Sequence, residues 1–178
     1  LMAEVRIVDG YERDVPRGAQ GEILFRGPGI TPGYFENDVA TRAAFAPGGW
    51  LRSGDVGRCD EDGYYYIVDR IKDMYISGGE NVYPAEVERV LHAHPAVLEA
   101  AVLGVPDERW GEAGHAVVRF RPGEHADADT LRAHARANLA AYKVPKHFTT
   151  VDDFPRTGAT SRIQKAKLRE RLAEPANA

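Results

Sequence analysis

Asp69-Arg70-Ile71-Lys72-Asp73-Met74-Tyr75-Ile76-Ser77-Gly78-Gly79-Glu80-Asn81-Val82-Tyr83-Pro84-Ala85-Glu86-Val87-Glu88 is the stretch on which the fold turns. It begins at the end of a strand-like run, crosses a charged segment and a glycine pair, and closes on a helix start. Proline suits the first helical position, where its missing N–H would have no partner anyway. Val87, Val90 and Leu91 then recur at helical spacing, which predicts a helix over 84–92. Composition shifts across 69–73, and the boundary is placed there, giving parts 1–69 and 70–178.

On the N-terminal side the chain reads as strands. Tyr64-Tyr65-Tyr66-Ile67-Val68 is aromatic and β-branched, and Asp60-Glu61-Asp62-Gly63 before it is turn chemistry, so 58–68 is a hairpin. Val5-Arg6-Ile7-Val8 and Gly21-Glu22-Ile23-Leu24-Phe25-Arg26-Gly27 are further strands. The Gly/Pro-rich loop Gly27-Pro28-Gly29-Ile30-Thr31-Pro32-Gly33-Tyr34 leads to a short helix over 38–45. On the C-terminal side element types alternate. Strands are predicted over 97–103, 115–120 and 148–151, with a helix capped by Asp127 or Asp129 running to 141 and another over 164–173. The layout is α+β, a sheet with helices on its faces.

The 178 residues carry 23 Lys+Arg against 27 Asp+Glu, a formal charge of −4, which argues against a nucleic-acid partner. No apolar run of membrane-spanning length occurs, so no integral membrane span is expected. Nor does Leu1-Met2-Ala3-Glu4-Val5-Arg6 resemble a signal peptide. Cys59 is the one cysteine, which excludes an intramolecular disulfide and a cysteine zinc site and fits a reducing cytoplasm. The six histidines show no metal-ligand spacing, and no metal site is expected on these residues.

Two places carry candidate chemistry. In Leu51-Arg52-Ser53-Gly54-Asp55 an aspartate follows a glycine turn beside a strand. Ionised, it accepts two hydroxyl donors at once, as a ribose diol requires; an Asx turn would use the same residue. In 69–88, Arg70 offers a rigid donor fork for ribose or phosphate oxygens, and Gly78-Gly79 clears space for a backbone or a thin ligand. A plain turn and a solvated charged loop are the alternatives.

Taken in order, these motifs resemble the adenylate-forming superfamily, and within it the acyl-CoA synthetases. Gly21-Glu22-Ile23-Leu24 with Gly33-Tyr34-Phe35, Thr41 and Phe45 is similar to the family's GE(I/L)…GY…T…F segment. Trp50-Leu51-Arg52-Ser53-Gly54-Asp55 resembles W(F/Y)RTGD, and 69–88 is close to DR.KDMIISGGENVYPAEVE, with Tyr75 for the usual Ile. Pro106-Asp107-Glu108-Arg109-Trp110-Gly111-Glu112 and Tyr142-Lys143-Val144-Pro145-Lys146 fit the acyl-CoA ligase branch.

The resemblance implies a β-barrel-like N-terminal piece over 1–69, the last part of a large adenylation domain, followed by a small lid domain over 70–178. It also implies a two-step reaction: a small-molecule carboxylic acid attacks ATP, with Mg2+, to give an acyl-adenylate and pyrophosphate, and CoA then takes the acyl group. By the same resemblance, Asp55 and Arg70 bind the nucleotide ribose, and Lys72 is the hinge of the lid. Gly78 and Gly79 line the pantetheine channel, and Trp110 and Tyr142 stand near the CoA nucleotide. A carrier-protein adenylation domain and a non-catalytic interaction module are the rival readings.

Two departures matter. The family's Ser/Thr/Gly-rich phosphate loop has no counterpart in these residues, so the chain by itself is expected to be inactive, the metal and phosphate site belonging to a missing N-terminal part of the parent. Apolar edges left without that part admit a homo-oligomer. In addition, Pro155-Arg156-Thr157-Gly158-Ala159-Thr160-Ser161-Arg162-Ile163 departs from the family's Pro-Arg-Thr/Asn-x-x-Gly-Lys-Ile. Arg162 stands at the usual catalytic lysine, Ser161 at the glycine, and one residue is added; Lys165 is a weaker alternative. A planar guanidinium is no simple substitute for a compact ammonium, so weakened adenylation is expected, with thioester formation less affected.

Overall fold

In the computed structural model, which describes residues 3–158 and 161–173, the early strand signals become an antiparallel ladder. β1 (Glu4–Val8) pairs with β2 (Gly21–Arg26), and β2 pairs with the long β4 (Trp50–Cys59). Before β4 come α1 (Asp38–Ala44), capped by the Asn37 side chain accepting from the Ala40 N–H, and the two-residue β3 (Phe45–Ala46). β3 pairs with the first half of β4, and β5 (Tyr65–Arg70) with its second half. The result is a curled five-stranded sheet around Val8, Leu24, Ala46 and Trp50. The Arg26 and Arg6 guanidinium groups lie 4.4 and 5.2 Å from the Trp50 ring, so cations as well as the apolar cluster cover it.

β5 runs on through Arg70 into a 3₁₀ turn, Ile71–Asp73. The chain divides into two compact units, Leu1–Lys72 and Asp73–Ala178.

In the second unit, β6 (Tyr75–Ser77) and β7 (Glu80–Val82) form a hairpin, followed by α2 (Pro84–His92). β8 (Val97–Asp107) and β9 (Gly111–Phe120) make a long antiparallel pair, and α3 (Ala128–Asn138) follows with the Asp127 side chain as its cap. β10 (His147–Thr150) lies parallel to β9, and α4 (Lys165–Ala173) closes the described chain. Alternate residues of β8 and β9 point to opposite faces. Ala100, Val102, Ala116 and Val118 meet Val87 and Leu91 of α2 and Leu131 and Ala135 of α3. Ala101, Leu103 and Val117 meet Phe154 and Leu168 on the other side. Burial on both faces is why this pair reads as nearly unbroken apolar sequence.

Tyr75 fixes β6 against this pair. Gly104 and Gly114 face one another across the β8–β9 ladder, and a Cβ on either would come within 2.4 Å of the Tyr75 Cβ or 2.5 Å of its hydroxyl. The ring fills the slot at 2% exposure, and its hydroxyl has no hydrogen-bond partner among the described residues. Burial, with the Glu112 charge adding to it, pushes the phenol well above its usual pKa.

The α+β class expected from sequence is what the two sheets and four helices among the described residues form. No described helix is long and apolar enough to cross a membrane.

Candidate functional site

In the first unit, the turn expected before Asp55 is a kink within a strand. β4 continues through Gly54, whose φ is 72°, and the β4–β5 register shifts between Val56 and Gly57. Just before that shift, Asp55 pairs directly with Arg70, and Arg70 Nε lies 3.4 Å from Asp55 Oδ1. The local turn is closed by Ser53, whose hydroxyl accepts the Asp55 N–H at 3.0 Å, so the Asp55 carboxylate is not spent on an Asx turn. Both side chains remain partly open, at 26% and 49% exposure. A two-oxygen acceptor and a planar donor fork therefore stand side by side with capacity left over, the pattern a vicinal diol matches. Arg52, in the same motif, is committed elsewhere: it donates to Glu22 at 2.8 Å and pairs with Glu12. Lys72 sits on the 3₁₀ turn that ends this unit.

In the second unit, Gly78-Gly79 is the two-residue turn between β6 and β7, Ser77 facing Glu80. Both glycines have positive φ, 62° and 86°, as the tight hairpin requires. Gly78 also accepts a close neighbour. Its N–H donates to the Trp110 carbonyl at 2.9 Å, and a Cβ there would lie 2.6 Å from the Trp110 ring.

Trp110 belongs to the β8–β9 turn, which Asp107 organises by accepting from the N–H groups of Arg109 and Trp110. The Lys146 ammonium, 2.7 Å from the other Asp107 oxygen, also lies 5.4 Å from the Trp110 ring. The Lys146 hydrogen bond and those two N–H groups hold the Asp107 carboxyl below the usual carboxylate range. Trp110 and Tyr142 line one cavity of about 880 Å³, together with Gly114, Arg132, Arg136 and Lys146. Tyr142 reaches it from the 3₁₀ turn Ala141–Lys143, which is tied to α2 by Lys143 Nζ at 2.7 Å from Glu86. Two aromatic rings and three cations in one hollow suit a ligand that is both planar and polyanionic. Arg132 and Arg136 were not among the residues singled out from sequence. Their one-turn spacing on a capped helix was the available signal.

The altered tail lies on residues 155–158 and 161–164, with Ala159 and Thr160 outside the described residues. Arg156 and Ile163 form an isolated bridge, and Ser161, at the expected glycine position, takes a φ of 51°. The backbone there adopts the left-handed form that glycine prefers, with a side chain in place. Arg162 is exposed, and its side chain has no ion pair among the described residues. Lys165 is engaged, its Nζ 2.7 Å from Glu88 Oε1, the same oxygen that accepts the Val102 N–H at 2.8 Å. Among the described residues no three His, Cys, Asp or Glu side chains cluster as a metal site would need.

Comparison with known proteins places these residues in context. Residues 86–160 match the AMP-binding enzyme C-terminal domain. The chain is 45% identical over 175 residues to a putative acyl-CoA synthetase, YngI, of Bacillus subtilis, covering 98% of this chain and 32% of that protein. It is 48% identical over 172 residues to a feruloyl-CoA synthase of Amycolatopsis, covering 97% and 35%. The crystal structure of ATP-bound MatB from Rhodopseudomonas palustris superposes with a TM-score of 0.90 at 38% identity, covering 96% of this chain and 34% of that one. The chain thus spans about a third of the length of these relatives.

Proposed function

Because the chain belongs to the adenylate-forming enzymes, as their C-terminal part, we propose that the whole protein is an ATP-dependent acid–thiol ligase that makes acyl-CoA. The acid's carboxylate attacks the α-phosphorus of ATP, pyrophosphate leaves, and the CoA thiolate then displaces AMP from the acyl carbon. Asp55 accepts the ribose hydroxyls and Arg70 donates to the ribose oxygens. Lys72 is the hinge between the two half-reactions, and Gly78 and Gly79 flank the pantetheine path. Arg162 approaches the carboxylate and α-phosphate. When bound, Mg2+ neutralises phosphate charge, and its ligands lie outside the described residues.

The acid is a small-molecule carboxylic acid, and we propose a fatty acid. The lone Cys59 suits a reducing compartment, and we assign the protein to the cytoplasm. The aromatic, cationic cavity favours free CoA over a carrier protein, since carrier-bound phosphopantetheine has no adenine nucleotide to fill it.

The observation that carries this reading is the Asp55–Arg70 pairing on adjacent strands. Asp55→Ala in the whole protein is expected to lower kcat/KM for ATP about 10²- to 10³-fold, the size of two hydrogen bonds to a charged group. An unchanged value overturns the ribose assignment. A second reading, a lid whose adenylation has decayed, is favoured by Ser161-Arg162 alone. Arg162→Lys should raise acyl-adenylate formation several-fold if the guanidinium impairs it; no rise removes that explanation.

A further inference from the structure

The tail that presents Arg162 meets the sheet in two ways, through the packing of Ile163 against the Ala101, Leu103 and Val117 face and through the Arg156 side chain. Arg156 Nη2 donates to both Glu99 oxygens, at 2.6 and 2.7 Å, while its Nη1 donates to the Ser161 carbonyl at 3.0 Å. One planar fork therefore spans from β8 to the residue immediately before Arg162. Glu99 is itself braced: it faces Arg119 on β9, whose guanidinium lies 3.1 Å away, and Asp153 is 3.4 Å from Arg119. The remaining bonds run within the tail. Thr157 N–H donates to the Arg162 carbonyl at 2.9 Å, the Thr157 hydroxyl accepts the Arg162 N–H at 3.2 Å, and Gln164 Nε2 donates to the Arg156 carbonyl at 2.8 Å. These shape the two flanks, while Ile163 packs on the sheet and Lys165 pairs with Glu88 beyond them; Arg156 is the side chain that grips the Ser161 peptide itself.

The carbonyl that Arg156 grips belongs to Ser161, the residue in the left-handed conformation. Where the backbone turns there sets the direction in which Arg162 leaves it. We propose that Glu99 and Arg156 are positioning residues for adenylation, a clamp that aims Arg162 by fixing the Ser161 peptide to β8. This rests on the role proposed for Arg162. A lysine at 156 would not serve, because one ammonium cannot hold a carboxylate in bidentate fashion and reach a carbonyl on the opposite side.

Two measurements test the clamp. In the 178-residue chain, amide hydrogen exchange at Ser161 and Arg162 should speed up at least about 10-fold in Glu99→Gln and in Arg156→Lys, the scale of losing a charge-assisted hydrogen bond. Exchange in β8 and β9 should stay as in the wild type. In the whole protein, both variants should lose about 10- to 100-fold in kcat for acyl-adenylate formation. KM for ATP and acid, and thioester formation from supplied acyl-adenylate, should stay within about twofold. The double variant should be no worse than either single one.

Unchanged exchange at Ser161 and Arg162 overturns the clamp outright. Equal loss in both half-reactions overturns it as a positioning device for adenylation. A wild-type protein that forms no acyl-adenylate instead overturns the proposed function, and the exchange result still decides whether the clamp exists.

Discussion

In the first unit the buried cluster is Val8, Leu24, Ala46 and Trp50, and large apolar side chains such as Phe35, Tyr64 and Ile67 stay exposed, Phe35 at 90%. In the second unit β8 and β9 are buried on both faces, between α2 and α3 on one side and Phe154 and α4 on the other. Arginines flank the first sheet: Arg6 and Arg26 lie over Trp50, and Arg52 lies between Glu22 and Glu12. The second is held by packing, and its ion pairs sit at the edges of that packing. The difference separates two ways of placing a polar group. Asp55 and Arg70 are placed by strand register on a sheet that these 178 residues cover only in part, whereas Trp110, Tyr142 and Arg162 are placed by turns anchored to a dense core.

The largest test of this contrast falls on the core. Leu91 is fully buried between α2 and β8, and Leu91→Ala should cost about 2–5 kcal/mol. The two tryptophans, Trp50 and Trp110, fall one in each unit and report separately once the other is changed to Phe. Urea unfolding followed through Trp110 should shift strongly while the Trp50 curve holds its midpoint. A matching shift in the Trp50 curve would erase the distinction.

Tyr75 sharpens the same comparison on a smaller scale. Its hydroxyl is buried with no hydrogen-bond partner among the described residues, so Tyr75→Phe removes a desolvated donor and keeps the ring in the Gly104–Gly114 slot. A gain of about 1 kcal/mol is expected. The pH dependence has a definite sign. A phenol whose folded pKa is raised contributes stability that is complete below the unfolded value of about 10 and lost as pH rises above it. Wild-type stability should therefore fall between pH 9 and 11 by more than that of Tyr75→Phe. Identical alkaline slopes would show that the Tyr75 phenol ionises as readily in the folded protein as in the unfolded one.

Much of this was legible beforehand, and for identifiable reasons. Proline at the start of α2 and a cap at Asp127 or Asp129, which the structure resolves as Asp127, marked their helices because both are local chemistry. The α+β class followed from strands on the N-terminal side and alternating strands and helices on the C-terminal side. Harder to see was β4, which runs on through Gly54 because its partners on either side supply ladder bonds that no five-residue window contains. The Asp55–Arg70 register depends on a bulge between Val56 and Gly57, and a one-residue slip would turn the side chains to opposite faces. Glu99 and Arg156 lie far apart in sequence, each an ordinary surface charge when read alone, and only the return of the tail to β8 joins them.

The smallest effect falls on Ser161, where the argument from local chemistry is most exposed to test. A non-glycine residue at a φ of 51° is held in the left-handed region at a cost of about 1–2 kcal/mol. Glycine would relieve that cost, but it gives the unfolded chain more freedom, worth about 0.4–1 kcal/mol in the opposite direction. The Ser161 contacts seen here run through its backbone, the N–H to the Thr157 carbonyl at 3.0 Å and the carbonyl to Arg156, and both survive the change. Ser161→Gly should therefore stabilise the second unit by about 0.8 kcal/mol, the midpoint difference of these two ranges, read as a small rise in the urea midpoint of the Trp110 curve. A loss of stability would mean that the kink is maintained by the serine side chain, and the comparison between register-placed and turn-placed groups would then have to include hydroxyl contacts at this turn.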